Sequence, residues 1–295
     1  MSATARKSTA IQSSRKSDSP GTRIWRAFWK RLTVRIALLV IGGFVVISAL
    51  APWLTRYEPE TMDLINVMAP ASWEHWLGTD ENGRDILTRL IYGGRASLAV
   101  GLVSMIGAVV LGSTLGALAG FFGGWIDTVV SRFIDGMLSI PLFFFLLTVL
   151  SLFGSSLPNL VLVIALTGWM SVARIVRGEV TANREHQYVE AATALGASRS
   201  WILFRHVLPQ STPSIIVAAT LGIAYAIIAE SALSYLGLGV RPPTPSWGNM
   251  LSEARGFIWQ DPLLTLYPGS LIFLSVLAFN TIGDGLRDAT DPRAS

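Results

Sequence analysis

Residues 136–173 form an unbroken run without a single charged side chain. Crossing the hydrocarbon core of a bilayer, about 30 Å, takes roughly 20 helical residues, so this run is too long for one membrane span. Its middle contains the turn-forming sequence GSSLPN at residues 154–159. The run therefore predicts a hairpin of two membrane-spanning helices, which are helices three and four of the chain.

The composition also indicates a membrane protein, because charged residues make up only 14% of the 295 residues and hydrophobic residues 51%. A soluble domain of this size usually carries about 25% charged residues. The sequence contains no cysteine, which excludes disulfides and thiolate metal sites. Nine basic residues precede the first apolar run, against the single acid Asp18, and this asymmetry predicts a cytoplasmic N-terminus.

Further uncharged runs predict the other spans, at residues 36–54, 96–126, 208–229 and 262–283, and the helix that begins at residue 208 is expected to continue through Glu230 to Leu236. The predicted fold is an all-α polytopic membrane protein with six transmembrane helices and both termini cytoplasmic. The segment between helices four and five is rich in arginine, as expected for a cytoplasmic connection. Along the second helix Gly112, Gly116 and Gly120 repeat every four residues, and we favour packing within the chain over a dimer seam.

Residues 188–210 are too polar for a span and carry two apolar stripes. The first stripe has the spacing of one helical face and consists of Tyr188, Ala191, Ala192 and Leu195. Gly196 suits a left-handed turn, and Ser198 can cap a second short helix, whose stripe is Trp201, Phe204 and Leu208. Pro209 is expected to end that helix, because the residue before a proline avoids the helical region. The pattern predicts two short amphipathic helices that either dock another protein or lie on the lipid surface.

The same residues carry a resemblance to a known family. Glu190-Ala191-Ala192, Gly196 and the run from His206 to Pro209 follow the spacing E-A-A-x3-G-x9-I-x-L-P, with His206 in place of isoleucine. This resembles the EAA loop of ABC importer membrane subunits, whose peptide-importer branch commonly has histidine there. Three more stretches are similar to that branch: HWLGTDENGRDILTRLIYGGRASL, ESALSYLGLGVRPPTPSWGNM and FNTIGDGLRDATDPR. The chain thus resembles the C-type permease of oligopeptide, dipeptide and nickel importers.

The resemblance implies a type I ABC importer permease fold and a division of the chain. Residues 1–33 would be a basic cytoplasmic tail, mostly disordered, and residues 34–56 the first transmembrane helix. An external segment at 57–93 would precede the ABC transmembrane core at 94–283. That core would include cytoplasmic EAA coupling helices at about 184–208, and residues 284–295 would be a cytoplasmic tail.

The implied function is a permease subunit of an ATP-driven importer, forming half of the translocation path for peptides, with nickel or another small solute as alternative cargo. The implied partners are a homologous second permease subunit, two ATP-binding subunits, an external substrate-binding protein and the lipid bilayer, with no nucleic acid. The sequence has no Gly-Lys dipeptide and hence no phosphate-binding loop, so we expect no enzyme activity and no bound cofactor. ATP and Mg would be used by the partner subunits. The implied location is the bacterial or archaeal cytoplasmic (inner) membrane, as a multi-pass protein.

The resemblance also names candidate site residues for contact with an ATPase. The expected ATPase-docking residues are Glu190, Ala191, Ala192 and Gly196, which match the EAA pattern, and also Arg199, which lies outside the matched positions. Glu190 either pairs with an ATPase arginine or holds its own helix by a local contact. Gly196 is expected to serve the turn more than a direct contact.

Charged residues near membrane depth are functional candidates by default. The expected path or gate residues are Arg132, Asp135, Pro141 and Glu230. Structural alternatives remain: Arg132 can pair with Asp135, Pro141 can serve packing by kinking helix three, and Glu230 can bond to the outer loop. The residues expected to contact the external binding protein are Asp80, Arg84, Asp85 and Trp247, the last alternatively an interface anchor.

Two other classes of function fit the sequence less well. An ion-coupled secondary transporter needs coupling groups near the bilayer midplane, where the predicted spans are almost free of charge. An intramembrane hydrolase needs a nucleophile and a base at depth, but His75, His186 and His206 lie outside the predicted spans. These histidines are also too far apart in the sequence to indicate a metal site.

Overall fold

The computed structural model describes residues 20–290, which are helical apart from loops and an isolated β-bridge between Thr79 and Asp85. The helices are α1 Pro20–Lys30, α2 Leu32–Ala49, α3 Ala51–Leu54, α4 Ile86–Phe122, α5 Gly124–Leu138, α6 Leu142–Phe153, α7 Leu157–Arg184, α8 Gln187–Ala194, α9 Arg199–Ile202, α10 Leu208–Gln210, α11 Thr212–Tyr235, α12 Trp247–Ala254 and α13 Leu263–Thr290. A π-helical turn, Leu203–Val207, joins α9 to α10, and a 3₁₀ turn, Arg255–Phe257, follows α12. The predicted all-α fold is confirmed.

Five helices within residues 20–290 are long and apolar enough to cross a membrane: α2, α4, α7, α11 and α13. A sixth crossing requires α5 and α6 together, which meet at an angle of 84°. The predicted third helix is therefore a bent pair of shorter helices and not one continuous span. The break falls at Pro141, the predicted kink, where a ψ of 113° takes the backbone out of the helical region before α6 begins.

Several helix ends differ from the prediction. Helix α4 begins at Ile86 instead of residue 96, because Asp85 caps it by accepting a hydrogen bond from the Thr88 N–H at 2.8 Å. Helix α13 extends to Thr290, beyond the predicted end at residue 283. Helix α1 lies in the tail expected to be disordered, and its Phe28 is buried in a cluster with residues of α2 and α13. Residues 1–19 and 291–295 of the predicted tails lie outside the described residues.

The glycine row on α4 packs directly against the backbone of α7. A Cβ added to Gly112, Gly116 or Gly120 would lie within 2.5–2.6 Å of a carbonyl oxygen of α7. Such a distance is shorter than van der Waals contact, so only glycine permits this approach of the two helices. The predicted packing of the row within the chain is confirmed.

Replacing Gly116 by alanine is expected to lower the stability of the bundle. Its Cβ would lie 2.5 Å from the Ala173 carbonyl oxygen, so α4 and α7 must move apart. Overpacking of this kind costs about 1–3 kcal/mol, measurable as a lower thermal unfolding midpoint in detergent. Gly178→Ala on α7 is the matched control, because a Cβ there meets nothing within 4 Å. Equal midpoints for the two variants would show that the contact is not tight.

Candidate functional site

Five charged side chains form a network where the loop before α4 meets α12: Asp80, Glu81, Arg84, Arg89 and Glu253. Asp80 accepts hydrogen bonds from Arg84 Nε and Arg89 Nη1, both at 2.7 Å. Glu253 on α12 accepts from Arg84 Nη2 at 3.0 Å and from Arg89 Nη2 at 2.7 Å. Burial raises the pKa of the Glu253 carboxyl, and the Arg84 guanidinium partly offsets that rise. The network ties the loop, α4 and α12 into one unit, which we call the α12 end of the bundle.

The residues predicted to contact an external protein all lie inside this end of the bundle: Asp80, Arg84, Asp85 and Trp247. Asp85 caps α4 and lies 3.0 Å from His75 Nδ1. The Trp247 indole donates to the Leu90 carbonyl oxygen at 3.0 Å. This burial argues against a direct contact of these side chains with another protein. Sequence reasoning missed Arg89, although it lies within the stretch HWLGTDENGRDILTRLIYGGRASL, and Glu253, which lies just beyond the stretch that ends at Met250.

Glu230 is fully buried and joins α11 to its surroundings through serines. Ser97 of α4 donates to Glu230 Oε2 at 3.0 Å, and Ser234 donates to Oε1 at 2.7 Å. Ser97 Oγ in turn accepts from the Trp247 N–H at 3.2 Å, and Ser234 Oγ accepts from the Val240 N–H at 3.1 Å. The structure therefore supports the alternative in which Glu230 bonds toward the loop after α11, and not exposure to a path.

A cavity of about 600 Å³ opens at the α12 end of the bundle. It lies between the first turns of α4, the start of α7 and the loop after α11. Arg95 and Tyr92 of α4 line it, with Arg95 placed over the Tyr92 ring at 5.7 Å. Arg241 Nε donates to Ser155 Oγ at 2.8 Å across its rim. The loop after α11 is thereby attached to the turn between α6 and α7.

At the opposite end of the bundle, α8 and α9 form the predicted pair of short helices. Gly196 has a φ of 85° in the left-handed region, and an added Cβ would meet nothing within 4 Å. The Gly196 N–H bonds the Thr193 carbonyl and the Ala197 N–H bonds the Ala192 carbonyl, which is the Schellman arrangement. Ser198 caps α9 by accepting from the Trp201 N–H at 3.3 Å. Gly196 is therefore needed for its backbone conformation and not for close packing within the chain.

The prediction that Pro209 ends the second short helix is wrong. Leu208 keeps helical angles, with φ −62° and ψ −39°, and the helix continues through the π turn into α10. The Leu208 N–H bonds the Leu203 carbonyl, five residues back. In a regular α-helix the ring of a proline collides with the carbonyl group four residues earlier. The wider π turn moves the carbonyls that precede Pro209, so the helix can continue through the proline.

The α8–α10 segment has one packed face and one open face. The packed face is buried in a cluster that also contains residues of α4, α5 and α7, and it consists of Val189, Ile202, Leu203 and Val207. The open face carries five exposed residues: Tyr188, Ala191, Leu195, Trp201 and Phe204. Leu195 is 89% exposed and Phe204 65%, whereas Ala192 and Leu208 of the predicted stripes are half-buried. Sequence periodicity thus found the open stripe but missed the packed one.

Two exposed charges border the open face. Within residues 20–290, the side chains of Glu190 and Arg199 make no hydrogen bond or ion pair, so the local contact considered for Glu190 is not seen. His206 lies against Trp201 in an edge-on arrangement, with ring centroids 4.7 Å apart. The open face therefore combines small and aromatic side chains with two charges that are available to a partner.

Ion pairs at this end connect α5 to α7. Arg177 Nη2 donates to Asp127 Oδ2 at 2.8 Å, and Arg174 Nη2 donates to Asp135 Oδ1 at 3.1 Å. The alternative pairing of Arg132 with Asp135 is wrong, because Asp135 points to α7. Arg132 is exposed and has no ionic partner among the described residues.

Comparison with known proteins decides the family. Residues 112–295, more than half of the chain, match the family described as binding-protein-dependent transport system inner membrane component. The chain belongs to this family. Residues 19–71 also match the N-terminal TM domain of oligopeptide transport permease C. As an inner membrane component, the chain is a multi-pass subunit of a transport complex and does not itself carry the ATPase site.

Curated relatives of this inner membrane component align over almost its whole length. A dipeptide transport system permease protein of Alkalihalophilus pseudofirmus is 43% identical over 91% of this chain and 90% of its own length. A glutathione transport system permease protein of Pectobacterium atrosepticum is 40% identical over 91% of each chain. A putative peptide permease protein of Brucella suis is 40% identical over 96% of this chain and 94% of its own.

A solved structure supports the fold of this inner membrane component. A chain of the MetNI methionine ABC transporter, in an inward-facing conformation, superimposes with a TM-score of 0.57 at 20% identity. The superposition covers 69% of this chain and 97% of the other. The predicted ABC importer permease fold is confirmed.

Proposed function

We propose that this inner membrane component is the permease subunit of an ATP-driven peptide importer and forms half of its translocation path. Three relatives at 40–43% identity are named for dipeptide, glutathione or peptide transport, and glutathione is itself a peptide. In this assembly a homologous permease completes the path, two ATP-binding subunits use ATP and Mg, and an external binding protein delivers peptides.

The proposed topology places the α8–α10 segment in the cytoplasm and the α12 end outside, with both termini cytoplasmic, in the cytoplasmic membrane of a bacterium or an archaeon. Cytoplasmic segments of membrane proteins are enriched in arginine and lysine. The residues from the end of α7 to the π turn carry five arginines: Arg174, Arg177, Arg184, Arg199 and Arg205. The chain before α2 is also strongly basic.

The open face of the α8–α10 segment is the proposed docking face for an ATP-binding subunit. The observation that carries this proposal is the contrast between the two faces: one is packed against α7, whereas the other exposes leucine and aromatic side chains. Large apolar side chains anchor protein interfaces when a partner covers them. Glu190 and Arg199 are proposed to meet oppositely charged groups of the ATPase, and Ala191 to allow its close approach.

The docking face is connected to two membrane-spanning helices. Val189 and Ile202 pack into the same cluster as Val176 and Val180 of α7. At the other end of the segment only Ser211 separates α10 from α11. We infer that closure of the ATPases moves α7 and α11 through these contacts, as a rigid-body movement of packed helices.

Reversing the charge of Glu190 tests the proposed docking. The complex of this chain, its partner permease, both ATPases and the binding protein is reconstituted in vesicles, and peptide-stimulated ATP hydrolysis is measured. We expect Glu190→Lys to reduce the stimulation at least about tenfold, because like charges facing each other across an interface cost several kcal/mol. Glu185→Lys, an equal charge change at an exposed residue just before α8, is the control and should retain stimulation.

Two outcomes would contradict the proposal. If Glu190→Lys keeps the stimulation of Glu185→Lys, Glu190 does not face an ATPase. If the unmodified complex binds ATPases but accumulates neither dipeptides nor longer peptides inside the vesicles, the peptide cargo is wrong.

A further inference from the structure

A cavity of about 360 Å³ lies between α4, α6, α7 and α11. Its lining residues come from the central parts of α4, α7 and α11, including Met105, Gly168 and Gly222. None of its lining side chains is charged. It is thus an uncharged cavity about halfway along the membrane-spanning helices, distinct from the larger cavity at the α12 end.

Hydroxyl groups are the polar feature of this cavity, and they fall into two pairs. Ser104 donates to the Val161 carbonyl at 3.1 Å, and Thr167 donates to the Val163 carbonyl at 2.9 Å, so both are satisfied within the chain. The hydroxyls of Ser171 and Tyr225 have no hydrogen-bond partner in the part of the chain that the structure describes, and both side chains are exposed.

The exposed, unpaired hydroxyls of Ser171 and Tyr225 lie about halfway along membrane-spanning helices, and they indicate whether this surface faces lipid or water. The hydrocarbon of a bilayer offers no hydrogen-bond partner, and an unsatisfied polar group there is costly. Polar side chains inside membranes accordingly face the protein interior or a water-filled cavity. The face that carries Ser171 and Tyr225 is therefore unlike the lipid-facing surface of the bundle.

We propose that this cavity is the part of the translocation path contributed by this chain, with Ser171 and Tyr225 as its peptide-contacting residues. The inference rests on the proposed peptide import. A tyrosine hydroxyl donates to a peptide carbonyl or accepts from a peptide N–H, groups that every peptide carries. Because the lining is uncharged, the cavity does not select cargo by side-chain charge.

The walls of the cavity suit cargo of varied shape. A Cβ on Gly222 of α11 would lie 2.2 Å from the Met105 sulfur, so the Met105 thioether rests directly on the α11 backbone. Methionine is unbranched and adapts to different neighbours more easily than other apolar side chains. Leu142, which follows the break at Pro141, also lines the cavity. The path is thus assigned to residues other than the buried Glu230.

The absence of cysteine from this chain makes the test direct. Single cysteines are introduced as Tyr225→Cys, Ser171→Cys and, as control, Ile106→Cys, in the full reconstituted complex. Ile106 is 63% exposed and adjoins Met105, but it does not line the cavity. Each complex is treated with a membrane-impermeant, positively charged methanethiosulfonate reagent, and the complex with the cysteine-free chain gives the background.

We expect Tyr225→Cys and Ser171→Cys to react at least about tenfold faster than Ile106→Cys, because the reagent is excluded from hydrocarbon. Labelling at residue 225 should block peptide uptake, whereas treatment of the Ile106→Cys complex should not. Equal reaction rates at the three positions, or full uptake after complete labelling at residue 225, would overturn the inference.

A conservative variant separates the hydroxyl from the shape of the side chain. Tyr225→Phe keeps the ring and is expected to raise the KM for peptide uptake several-fold, and an unchanged KM would remove Tyr225 as a peptide contact. If the cysteine-free complex takes up no peptide but its cysteine variants are labelled, the proposal that peptides are the cargo is wrong. The assignment of this cavity to the translocation path is then retained. If that complex takes up peptide but neither cysteine is labelled, the path assignment fails and the proposed function stands.

Discussion

Replacing Leu195 by aspartate is expected to release the ATP-binding subunits from this chain and to abolish peptide-stimulated ATP hydrolysis. Leu195 directly follows the last residue of α8, belongs to the proposed docking face and is 89% exposed. A carboxylate at this position would lose its water in the interface without gaining a counter-charge. Loss of an anchor worth at least about 2 kcal/mol weakens binding roughly 30-fold. Co-purification of the ATPases with tagged chain measures the effect.

Thr193→Asp is the matched control for this variant. Thr193 is also exposed, but it lies about 160° from Leu195 around the helix axis. We expect Thr193→Asp and the volume-conserving Leu195→Met to retain the ATPases. Co-purification of equal ATPase with Leu195→Asp and Thr193→Asp would place the contact elsewhere on the chain.

Replacing Arg89 by methionine is expected to have the largest effect on stability. Arg89 is 1% exposed and bonds both Asp80 and Glu253 at 2.7 Å. Without it, Arg84 alone faces the three carboxylates of Asp80, Glu81 and Glu253 at the α12 end. Breaking a buried ion pair by removing one partner costs about 3–5 kcal/mol. The yield of folded chain and its thermal unfolding midpoint in detergent report this loss.

Arg95→Met serves as the control on the same helix, because Arg95 is exposed. Its stability should change by less than about 0.5 kcal/mol. Adding Glu253→Gln to Arg89→Met removes one of the carboxylates that Arg84 alone would face and should restore part of the lost stability, since Arg89 and Glu253 are in contact. An Arg89→Met chain as stable as Arg95→Met would mean that the buried network contributes nothing.

The membrane-spanning helices were predictable because the hydrocarbon of a bilayer excludes charged side chains. The predicted helix ends were wrong where a helix contains charged residues. The first ten residues of α4 include Arg89 and Arg95, so the uncharged run begins too late. Arg89 is tolerated because two carboxylates neutralise it, and Arg95 because it is exposed at a helix end. The bend between α5 and α6 has no charge signal, and its angle depends on packing that hydropathy does not report.

The candidate site shows the same division between local and tertiary information. The turn at Gly196 was predictable, because a glycine followed by a capping serine determines the backbone locally. The packed face of the α8–α10 segment was missed, since Val189 and Ile202 are as apolar as the residues of the open face. The partner of Asp135 was missed for a related reason: Arg174 is distant in sequence and near only after α5 and α7 have packed.

The length of α7 has a consequence for both ends of the proposed path. Its 28 residues form one uninterrupted helix, which at 1.5 Å per residue is about 42 Å long. The α8–α10 segment packs against one end, and Leu157 at the other end lines the cavity beside Arg241. If α7 tilted by about 5° around its midpoint, its two ends would move by roughly 2 Å in opposite directions. Such a tilt would widen the proposed path at one end while narrowing it at the other, without breaking a backbone hydrogen bond.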